Sequence, residues 1–442
     1  MRRVVVAAAV AGIVTAGAPV AQAGRQVTIK GGGWGHGIGM SQYGAYGRAQ
    51  NGKSAEQILE KYYTGAQVKS ADMPRRIRVG LLQGRGSVSF SSSAFSDGGG
   101  KVVWRVAGEP DAIAQGGSKA TWKVESGSAG AMRLFKNGDR VRVDGRAAFG
   151  SPDAPLILKY EPFGTLVRVV EKSNSYAYGR MEVATYSSSS CGGYCLNLVV
   201  SLPMQKYLYG LGEVPSSWPA AVLRAQAIAG RTYALEKVRR LGQNRYPCSC
   251  AVYDSTIDQA YIGDAKRTGS GSYWDDWKGA VDATKNQVIL HNGTPIQALY
   301  SSSSGGHTEN NENVWGGAPI SYLRGVNDGP DAVSANPNHK WKMTMSWRSF
   351  SSKLAARFGT GKVLRFRLRA PFGVSGRVTV VKSATEGGVK IVGETKTVRV
   401  SGWDVRSALG LKDTLFRVSV TSTDSGTATR TGASAEGDFT DR

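Results

Sequence analysis

The sequence predicts an α+β fold, in which a mixed and largely antiparallel β-structure surrounds one buried helix and leaves a groove, with a further β-rich insertion. Two observations lead to this prediction. The helical pattern over residues 220–240 has a centre rich in Ala and Gly, so other backbone can pack very close to it. Residues 73–185 consist of short apolar runs divided by Gly, Ser and Asp, and such short links favour antiparallel strands.

The remaining elements follow from local patterns along the chain. Helices are expected at 42–50 and 54–63, the second opened by a capping box of Ser54 and Gln57. Strands of the β-rich region are expected at 76–82, 102–106, 121–124, 141–143, 156–160, 167–170 and 181–183. Beyond the central helix we expect a helix near 277–284, a strand pair at 288–290 and 295–300, a helix at 349–358, and strands at 363–369, 378–382 and 396–400.

The chain divides into five regions. Residues 1–23 have the basic start, apolar middle and Ala-x-Ala end of a secretory signal peptide, so the mature protein is expected to be secreted. Residues 24–68 form a Gly-rich block, 69–185 the β-rich region and 186–420 the core of the fold. Residues 421–442 lack an apolar period and are predicted to be disordered. No later stretch is long and apolar enough to cross a bilayer.

The chain is strongly basic. Lys and Arg number 56 against 33 Asp and Glu, which gives a formal charge of +23. Such an excess favours a polyanionic partner. The polyanions that an exported protein encounters are wall polymers and acidic glycans, so no nucleic-acid partner is expected. A diffuse basic surface with no single partner is the alternative.

One motif in the Gly-rich block is misleading. Residues 47–54 satisfy the phosphate-loop pattern G-x-x-x-x-G-K-[ST] letter for letter. That loop needs a strand before it and a helix after it, so that backbone N–H groups surround the phosphates. Here a helical pattern precedes it, so no nucleotide is expected as a partner.

One acidic residue stands alone before the central helix. Glu213 is the only Asp or Glu between Glu182 and Glu236, and it is followed by a Pro-Ser-Ser turn. Ser216 or Ser217 of that turn is expected to cap the helix. The apolar sequence neighbours of Glu213 predict a raised carboxyl pKa, which suits a general acid.

An arginine lies near the centre of the helical pattern. Arg231 has small residues around it in the sequence, and an unpaired buried charge is unfavourable, so it needs an anionic partner or water. It either forms a structural ion pair or faces a cleft beside Glu213. The residues themselves leave both alternatives open.

These segments resemble a known family. The patterns Leu202-Pro-x-x-x-Tyr207, Gly210-x-x-Glu213-x-Pro215-x-x-Trp218-Pro219 and Ala225-Gln226-Ala227-x-Ala229-x-Arg231-Thr232-Tyr233-Ala234 resemble the core signature of the SpoIID/LytB family, named for the stage II sporulation protein D and the amidase enhancer. The resemblance implies a role on peptidoglycan. In that family the sporulation protein is a lytic transglycosylase that uses the glutamate matching Glu213, whereas the amidase enhancer assists a separate amidase.

The Gly-rich block resembles the same family over residues 31–46. In most relatives its counterpart closes the domain at the C-terminal end, after a strand like that expected at 409–416. The chain is therefore identified as a circularly permuted member, which is tolerable where the old termini lie close together. We predict that residues 34–63 pack beside residues 401–420.

The resemblance also implies a substrate cleft. Its expected binding residues are His36 and Gln42 of the Gly-rich block, Gln259 and Tyr261, and Tyr300 and Ser304 of a serine-rich loop that could otherwise be a linker. Some relatives hold zinc near the position of Cys248, but no His lies nearby in this sequence. We therefore expect no metal, and no feature indicates a cofactor.

The four cysteines fall in two close pairs. An even number in an exported protein favours disulfides, and four cysteines allow three connectivities. A loop between Cys191 and Cys195 closes easily, whereas a bridge from Cys248 to Cys250 would be strained. The pairing is open at this point.

The activity that the resemblance implies is cleavage of glycan strands between N-acetylmuramic acid and N-acetylglucosamine, with Glu213 as general acid and base. Arg231 would then bind the lactyl carboxylate of a muramic acid that lacks its stem peptide, and Gln226 and Gln259 would bind acetamido groups. The alternative is a non-catalytic, wall-binding enhancer of an N-acetylmuramoyl-L-alanine amidase. Peptidoglycan is the expected partner in both cases, with the cell-wall amidase as a second partner in the alternative.

Overall fold

The computed structural model describes residues 24–422 and 439–440, so the predicted signal peptide lies outside the described residues. Within them the helices are α1 (Gln42–Gln50), α2 (Ala55–Tyr62), α3 (Met204–Tyr209), α4 (Ala220–Leu241), α5 (Ala265–Ser270), α6 (Trp274–Ala283), α7 (Asn311–Trp315), α8 (Trp347–Phe358) and α9 (Gly402–Leu409). The strands are β1 (Arg25–Gly31), β2 (Met40–Ser41), β3 (Gln67–Ser70), β4 (Ile77–Arg85), β5 (Ser87–Ala94), β6 (Val102–Val106), β7 (Ala112–Gly116), β8 (Thr121–Ser126), β9 (Met132–Lys136), β10 (Asp139–Arg140), β11 (Leu156–Lys159), β12 (Thr165–Val169), β13 (Asn174–Tyr176), β14 (Arg180–Ser188), β15 (Gly193–Leu202), β16 (Val252–Tyr253), β17 (Gln287–His291), β18 (Thr294–Pro295), β19 (Tyr300–Ser301), β20 (Trp341–Ser346), β21 (Val363–Leu368), β22 (Val389–Gly393), β23 (Thr397–Val400), β24 (Phe416–Ser422) and β25 (Phe439–Thr440).

Antiparallel sheets dominate the β-structure, which confirms the predicted α+β class. A seven-stranded sheet has the order β16-β4-β15-β14-β11-β6-β7, and a six-stranded sheet has the order β10-β9-β8-β5-β12-β13. The two sheets share one hydrophobic cluster, in which Trp104 of β6 lies 6.0 Å from Trp122 of β8. The predicted boundary between the β-rich region and the core, at residues 185 and 186, falls inside β14. Because β14 pairs with β11 of the β-rich region and with β15 of the core, one sheet crosses the predicted boundary.

Three predicted strands between residues 141 and 382 are wrong. The strand expected at 295–300 is broken, because β18 ends at Pro295 and β19 begins only at Tyr300. The strand expected at 141–143 is cut short by a tight turn at Asp144 and Gly145, both of which have positive φ. In the strand expected at 378–382, the backbone N–H groups of alternate residues donate to three separate segments, at Thr414, Asn313 and Glu386, instead of one neighbouring strand. Apolar alternation without an available partner strand does not give a sheet.

Helix α4 is buried over most of its length, as its small residues predict. It packs against α1, α2, α6 and β17. The expected serine cap is wrong, because the N-cap is Pro219 and the Ser216 hydroxyl lies 2.7 Å from that of Ser270 instead. The helix therefore starts from the fixed φ of a proline, and its first turn receives no side-chain cap.

The start of the N-terminal block packs against the C-terminal end of the chain. The predicted contact is confirmed for residues 34 and 35, whereas α1 and α2 both pack against α4. The backbone N–H of Gly35 donates to the carbonyl of Lys412 at 3.1 Å, and β1 pairs with β24. The strand expected at 409–416 is wrong over most of its length, because α9 extends to Leu409 from a capping box of Ser401 and Asp404.

Residues 25–31 and 340–422, called the C-terminal lobe below, have a hydrophobic cluster of their own. In it β1 lies between β20 and β24 in a three-stranded sheet, and β23, β22, β21 and β25 form a four-stranded sheet. Of the tail predicted to be disordered, residues 421–422 end β24, and β25 pairs with β21. Residues 423–438 and 441–442 lie outside the described residues.

The cysteines pair locally. One disulfide joins Cys191 to Cys195 and the other joins Cys248 to Cys250, so each close pair in the sequence bridges within itself. Both members of the second pair are buried against Val199 of β15. In the part of the chain that the structure describes, no helix has the length and apolar character of a membrane span.

Candidate functional site

Glu213 lies in the short connection between α3 and α4. The buried strand β15 ends at Leu202, and the following proline begins α3, so the chain turns sharply away from the sheet. Beyond α3, Leu211 forms a backbone bridge with Tyr261, and the N–H of Gly212 donates to the carbonyl of Ala260 at 2.8 Å. These bonds fix the backbone on the N-terminal side of Glu213.

The carboxyl group of Glu213 is half-buried and accepts two hydrogen bonds. The N–H of Ala260 donates to Oε1 at 2.7 Å, and the hydroxyl of Tyr300 donates to the carboxylate. Burial raises the pKa of Glu213 above its usual value, and the two donors and the Lys266 ammonium oppose this effect without cancelling it. Glu213 therefore keeps its proton to a higher pH than an exposed glutamate does.

A chain of hydrogen bonds orients the Tyr300 hydroxyl. The Tyr207 hydroxyl donates to Oε1 of Gln259 at 2.9 Å, and Nε2 of Gln259 donates to the Tyr300 oxygen at 2.8 Å. Because the Tyr300 oxygen accepts from Gln259, its own proton is directed at Glu213. Nε2 of Gln259 also donates to the carbonyl of Gly230 at 3.3 Å, which anchors the chain of bonds on α4.

Glu213 opens onto a cleft of about 370 Å³. The cleft is lined by the loop 212–217 on one side and on the other by Ile262, Ala265, Lys266, Gly269, Ser270 and Tyr273. Glu213 is the only carboxylic acid among these lining residues, and Lys266 is their only cation.

Lys266 is the cation that the sequence analysis missed. Its ammonium donates to the carbonyl of Val214 at 2.7 Å and lies 4.9 Å from the centre of the Trp277 ring. Burial lowers the pKa of Lys266 to about 8, and the negative charge of Glu213 works against that shift. No sequence motif singles out Lys266, since its role depends on α5 lying across the cleft from the 212–217 loop.

Gln42 connects the N-terminal block to the loop of Glu213. Its Nε2 donates to the backbone carbonyl of Glu213 and to Oε1 of Gln226, both at 3.2 Å. Gln226 is fully buried and Gln259 is 1% exposed, so neither reaches a substrate. The prediction that these two glutamines bind acetamido groups is therefore wrong, because they form the wall behind the site.

Arg231 does not face the cleft, so its predicted role beside Glu213 is wrong. It is fully buried, and its guanidinium donates to the carbonyls of Gln287 at 3.0 Å and Val281 at 3.3 Å. Burial lowers the pKa of Arg231 to about 10. Among the described residues it has no carboxylate partner within ion-pair distance, so the alternative of a structural ion pair is wrong as well. Arg231 ties α4 to the end of α6.

Helical geometry explains this placement. Gln226 and Gly230 are four residues apart on α4 and face the Glu213 side, through Gln42 and Gln259 respectively. Arg231 is five residues from Gln226, which turns it by about 140° around the helix axis. The spacing in the sequence was therefore sufficient to show that Gln226 and Arg231 point in different directions.

Two further predicted binding residues are structural. Tyr261 is 2% exposed and stacks on Tyr207 with their ring centres 5.2 Å apart. Ser304 is fully buried, and its hydroxyl donates to Asp328 at 2.7 Å. Neither side chain can contact a substrate. The alternative of a linker is also wrong for this loop, because its serines are held inside the protein.

A second group of buried polar residues, called the serine–aspartate cluster below, lies on the other side of α1. It consists of Ser41, Ser303, Ser304, Asp328 and Asp331. The carboxylate of Asp331 accepts from five groups, which are the hydroxyls of Ser41 and Ser303, the N–H groups of Ser304 and Gly305, and Nδ1 of His339, at 2.8–3.1 Å. Ser41 is the N-cap of α1, so this cluster positions the helix that presents Gln42.

The His36 ring forms a hydrogen bond with the backbone of Tyr300, and not with the Tyr300 hydroxyl that faces Glu213. The N–H of Ile38 donates to Nδ1 of His36 at 3.0 Å, and the ring lies 5.1 Å from that of Trp315. Burial, with Arg377 as the next largest cause, lowers the pKa of His36 to about 4, so the ring is neutral near pH 7. His36 is thus not positioned to exchange a proton with Glu213.

Comparison with known proteins connects this site to a family. Residues 194–291, which contain Glu213, match the SpoIID family model, described as stage II sporulation protein. The amidase enhancer of Bacillus subtilis (strain 168) is 33% identical over 141 residues, which cover 32% of this chain and 17% of that protein. Stage II sporulation protein D of the same strain is 28% identical over 225 residues, which cover 49% of this chain and 61% of that protein.

Stage II sporulation protein D of Bacillus amyloliquefaciens is 28% identical over 226 residues, which cover 49% of this chain and 60% of that protein. This chain therefore spans less than two thirds of the length of each of these relatives. The range that matches the family model includes α3, the Glu213 loop and α4, which are the elements that build the site. The chain is therefore similar to the SpoIID family over residues 194–291, the segment that contains the site.

Proposed function

We propose that this protein is an exported lytic transglycosylase that cleaves peptidoglycan between N-acetylmuramic acid and N-acetylglucosamine. The observation that carries the proposal is one half-buried carboxyl group, Glu213, which faces a cleft and has a raised pKa and an oriented hydroxyl donor in Tyr300. Similarity to proteins named stage II sporulation protein D supports it.

The chemistry needs a single acid. Protonated Glu213 donates its proton to the glycosidic oxygen as the bond from that oxygen to C1 of the muramic acid breaks. The C6 hydroxyl of the same sugar then attacks C1, and the Glu213 carboxylate takes the hydroxyl proton. The product carries a 1,6-anhydro ring, no water is consumed, and Glu213 is returned to its protonated form.

The composition of the cleft supports this route over hydrolysis. Glycoside hydrolases generally use two carboxyl groups, one as acid and one as nucleophile or base. Among the described residues that line the cleft, Glu213 is the one carboxylic acid. Tyr300 stabilises the carboxylate form between the two proton transfers, because it donates to that form.

The test compares Glu213→Gln with the wild type and with the control Glu60→Gln, which removes an exposed glutamate of α2. Purified proteins are incubated with intact and with peptide-stripped glycan strands, and products are analysed by mass spectrometry. We expect release of anhydro-muropeptides or anhydro-sugars to fall by a factor of at least about 100 in Glu213→Gln. Unchanged release in that variant would exclude Glu213 as the acid.

A second candidate function is enhancement of a cell-wall amidase, favoured by the 33% identity to a protein named amidase enhancer. In that case Glu213 has no chemical role. The discriminating measurement is the rate of an N-acetylmuramoyl-L-alanine amidase with and without the protein. Equal stimulation by the wild type and Glu213→Gln, with no anhydro products from either, would support the enhancer function.

A further inference from the structure

The positive charge of the protein is concentrated in the C-terminal lobe. Over residues 25–31 and 340–422 there are 19 Lys and Arg against four Asp and Glu. Residues 32–339 are more than three times as numerous, and they contain 33 Lys and Arg against 25 Asp and Glu. The excess of basic residues is thus not spread evenly along the protein but is concentrated in the C-terminal lobe.

Within the lobe, three cations lie side by side across one sheet. In the three-stranded sheet, Lys30 of β1 is directly opposite Lys342 of β20 and directly opposite Arg417 of β24. All three residues are exposed. Directly opposed residues of neighbouring strands point to the same face and lie about 5 Å apart, so the row spans about 10 Å.

The next row on the same face consists of hydroxyl groups. Thr28 is opposite both Thr344 and Ser419, two residues along each strand from the cations. The Ser419 hydroxyl donates to the Thr28 carbonyl at 3.4 Å. The three strands contain no Asp or Glu, and their other face packs into the apolar cluster of the lobe. The solvent face is therefore a continuous set of cations and hydrogen-bond donors.

Such a row is unfavourable in the free protein. Like charges that are directly opposite on neighbouring strands repel each other and destabilise the sheet. Arg417 is nonetheless held in place, since Nη1 donates to the carbonyls of Gly376 and Phe416, and the guanidinium lies 4.3 Å from the centre of the Phe372 ring. An anionic ligand that lies along the row would relieve the repulsion.

We infer that this face binds a linear phosphodiester polymer of polyol units. A line of cations about 5 Å apart suits a flexible chain of single negative charges, and the adjacent hydroxyls can donate to phosphate oxygens. Neither row contains an aromatic residue on which a base could stack, which disfavours single-stranded nucleic acid. The row lies at the end of β1 that leads through the Gly-rich loop to α1 and Gln42. The inference is independent of whether Glu213 is catalytic.

The test measures binding of fluorescently labelled poly(glycerol phosphate) to the full chain over a series of salt concentrations. The row variant is Lys30→Gln/Lys342→Gln/Arg417→Gln. The matched control, Lys53→Gln/Lys61→Gln/Lys285→Gln, removes three exposed cations outside the lobe and gives the same net charge. We expect binding to weaken by about tenfold or more in the row variant, with a shallower salt dependence, and to change by less than about twofold in the control.

A second variant, Lys30→Gln/Lys342→Gln, keeps the packing of Arg417 on Phe372 and excludes misfolding as the cause of a loss. Glu213→Gln is expected to bind the polymer like the wild type, which separates this inference from the proposed activity. Equal weakening in the row and control variants would show a diffuse basic surface and overturn the inference. Tighter binding of single-stranded DNA of equal charge, lost in the row variant, would identify a nucleic-acid surface and overturn it as well.

Discussion

The Glu213 cleft and the serine–aspartate cluster both place carboxylates among buried polar groups, yet the two differ in how fully those carboxylates are bonded. Asp331 is fully buried and accepts hydrogen bonds from five protein groups. Glu213 is half-buried, accepts from two, and faces a cleft. The difference shows that burial alone does not distinguish a carboxylate that faces a cleft from one whose acceptor sites are all used within the fold.

The physical reason is the number of free lone pairs. A carboxylate has about four acceptor sites, so the five contacts of Asp331 leave no capacity for a ligand and use the charge to hold three chain segments together. Glu213 retains capacity, and its environment raises its pKa. The first carboxylate stabilises the fold, and the second can exchange a proton.

The largest expected difference between the two regions is in how a substitution of their carboxylate changes the free energy of unfolding. Asp331→Ala leaves buried hydroxyl and N–H groups without an acceptor, so we expect the free energy of unfolding to fall by about 3–5 kcal/mol. Glu213→Gln removes a desolvated acid and should change it by less than about 1 kcal/mol. Urea unfolding measures both. Similar losses in the two variants would contradict the comparison.

A smaller effect is expected for Tyr300→Phe, which keeps the ring and removes the donor to Glu213. We expect kcat on peptide-stripped strands to fall by about tenfold to a hundredfold with KM little changed, because the donor acts on the carboxylate that forms during the reaction. Tyr261→Phe is the matched control, since that ring is buried and does not line the cleft. A loss of equal size in the control would assign the effect to packing.

The pH dependence of the cleft should respond to Lys266. A nearby cation stabilises the carboxylate and lowers the pKa of Glu213, so Lys266→Met should raise that pKa further. Because the proposed reaction starts from protonated Glu213, the high-pH limb of the kcat/KM profile should move to higher pH, by less than about one unit. Lys266→Arg keeps the charge and should leave the limb in place. A shift to lower pH in Lys266→Met would exclude this electrostatic role.

The smallest effect is expected for Gln226→Met, which is close in volume and removes the acceptor for Gln42. Gln226 is fully buried, and its Nε2 has no partner among the described residues, so we expect the free energy of unfolding to fall by less than about 1.5 kcal/mol. KM should be unchanged. A large rise in KM would restore the original expectation that Gln226 binds substrate.

Local patterns were sufficient for much of the fold. The capping box of Ser54 and Gln57 opens α2 as predicted, and the central helix has nearly the predicted bounds. The isolation of Glu213 before that helix also pointed to the residue that the structure places in the cleft. These features depend on hydrogen bonds and side chains within a few residues, so the sequence contains the information directly.

The composition of the site was harder to predict. Five of the residues assigned to binding or catalysis are buried. Gln226, Gln259 and Tyr261 lie behind the cleft, Arg231 lies between α4 and α6, and Ser304 belongs to the serine–aspartate cluster. A family signature identifies residues that are near a site. It does not distinguish residues that face a ligand from buried residues that support the site from behind. Lys266 was missed because it belongs to no pattern, and only the packing of α5 brings it to the cleft.

The sequence by itself determined the fold class, the central helix, the resemblance to the SpoIID/LytB family and the one acid that faces the cleft, because each depends on spacing along the chain. The tertiary structure alone decided which side chains face the cleft and where the basic excess is concentrated. These properties depend on contacts between segments that are far apart in sequence, such as Ser41 with Asp331 and Lys30 with Lys342. Whether a side chain faces the cleft or the interior depends on which other element packs against it. Local sequence patterns do not show which element that is.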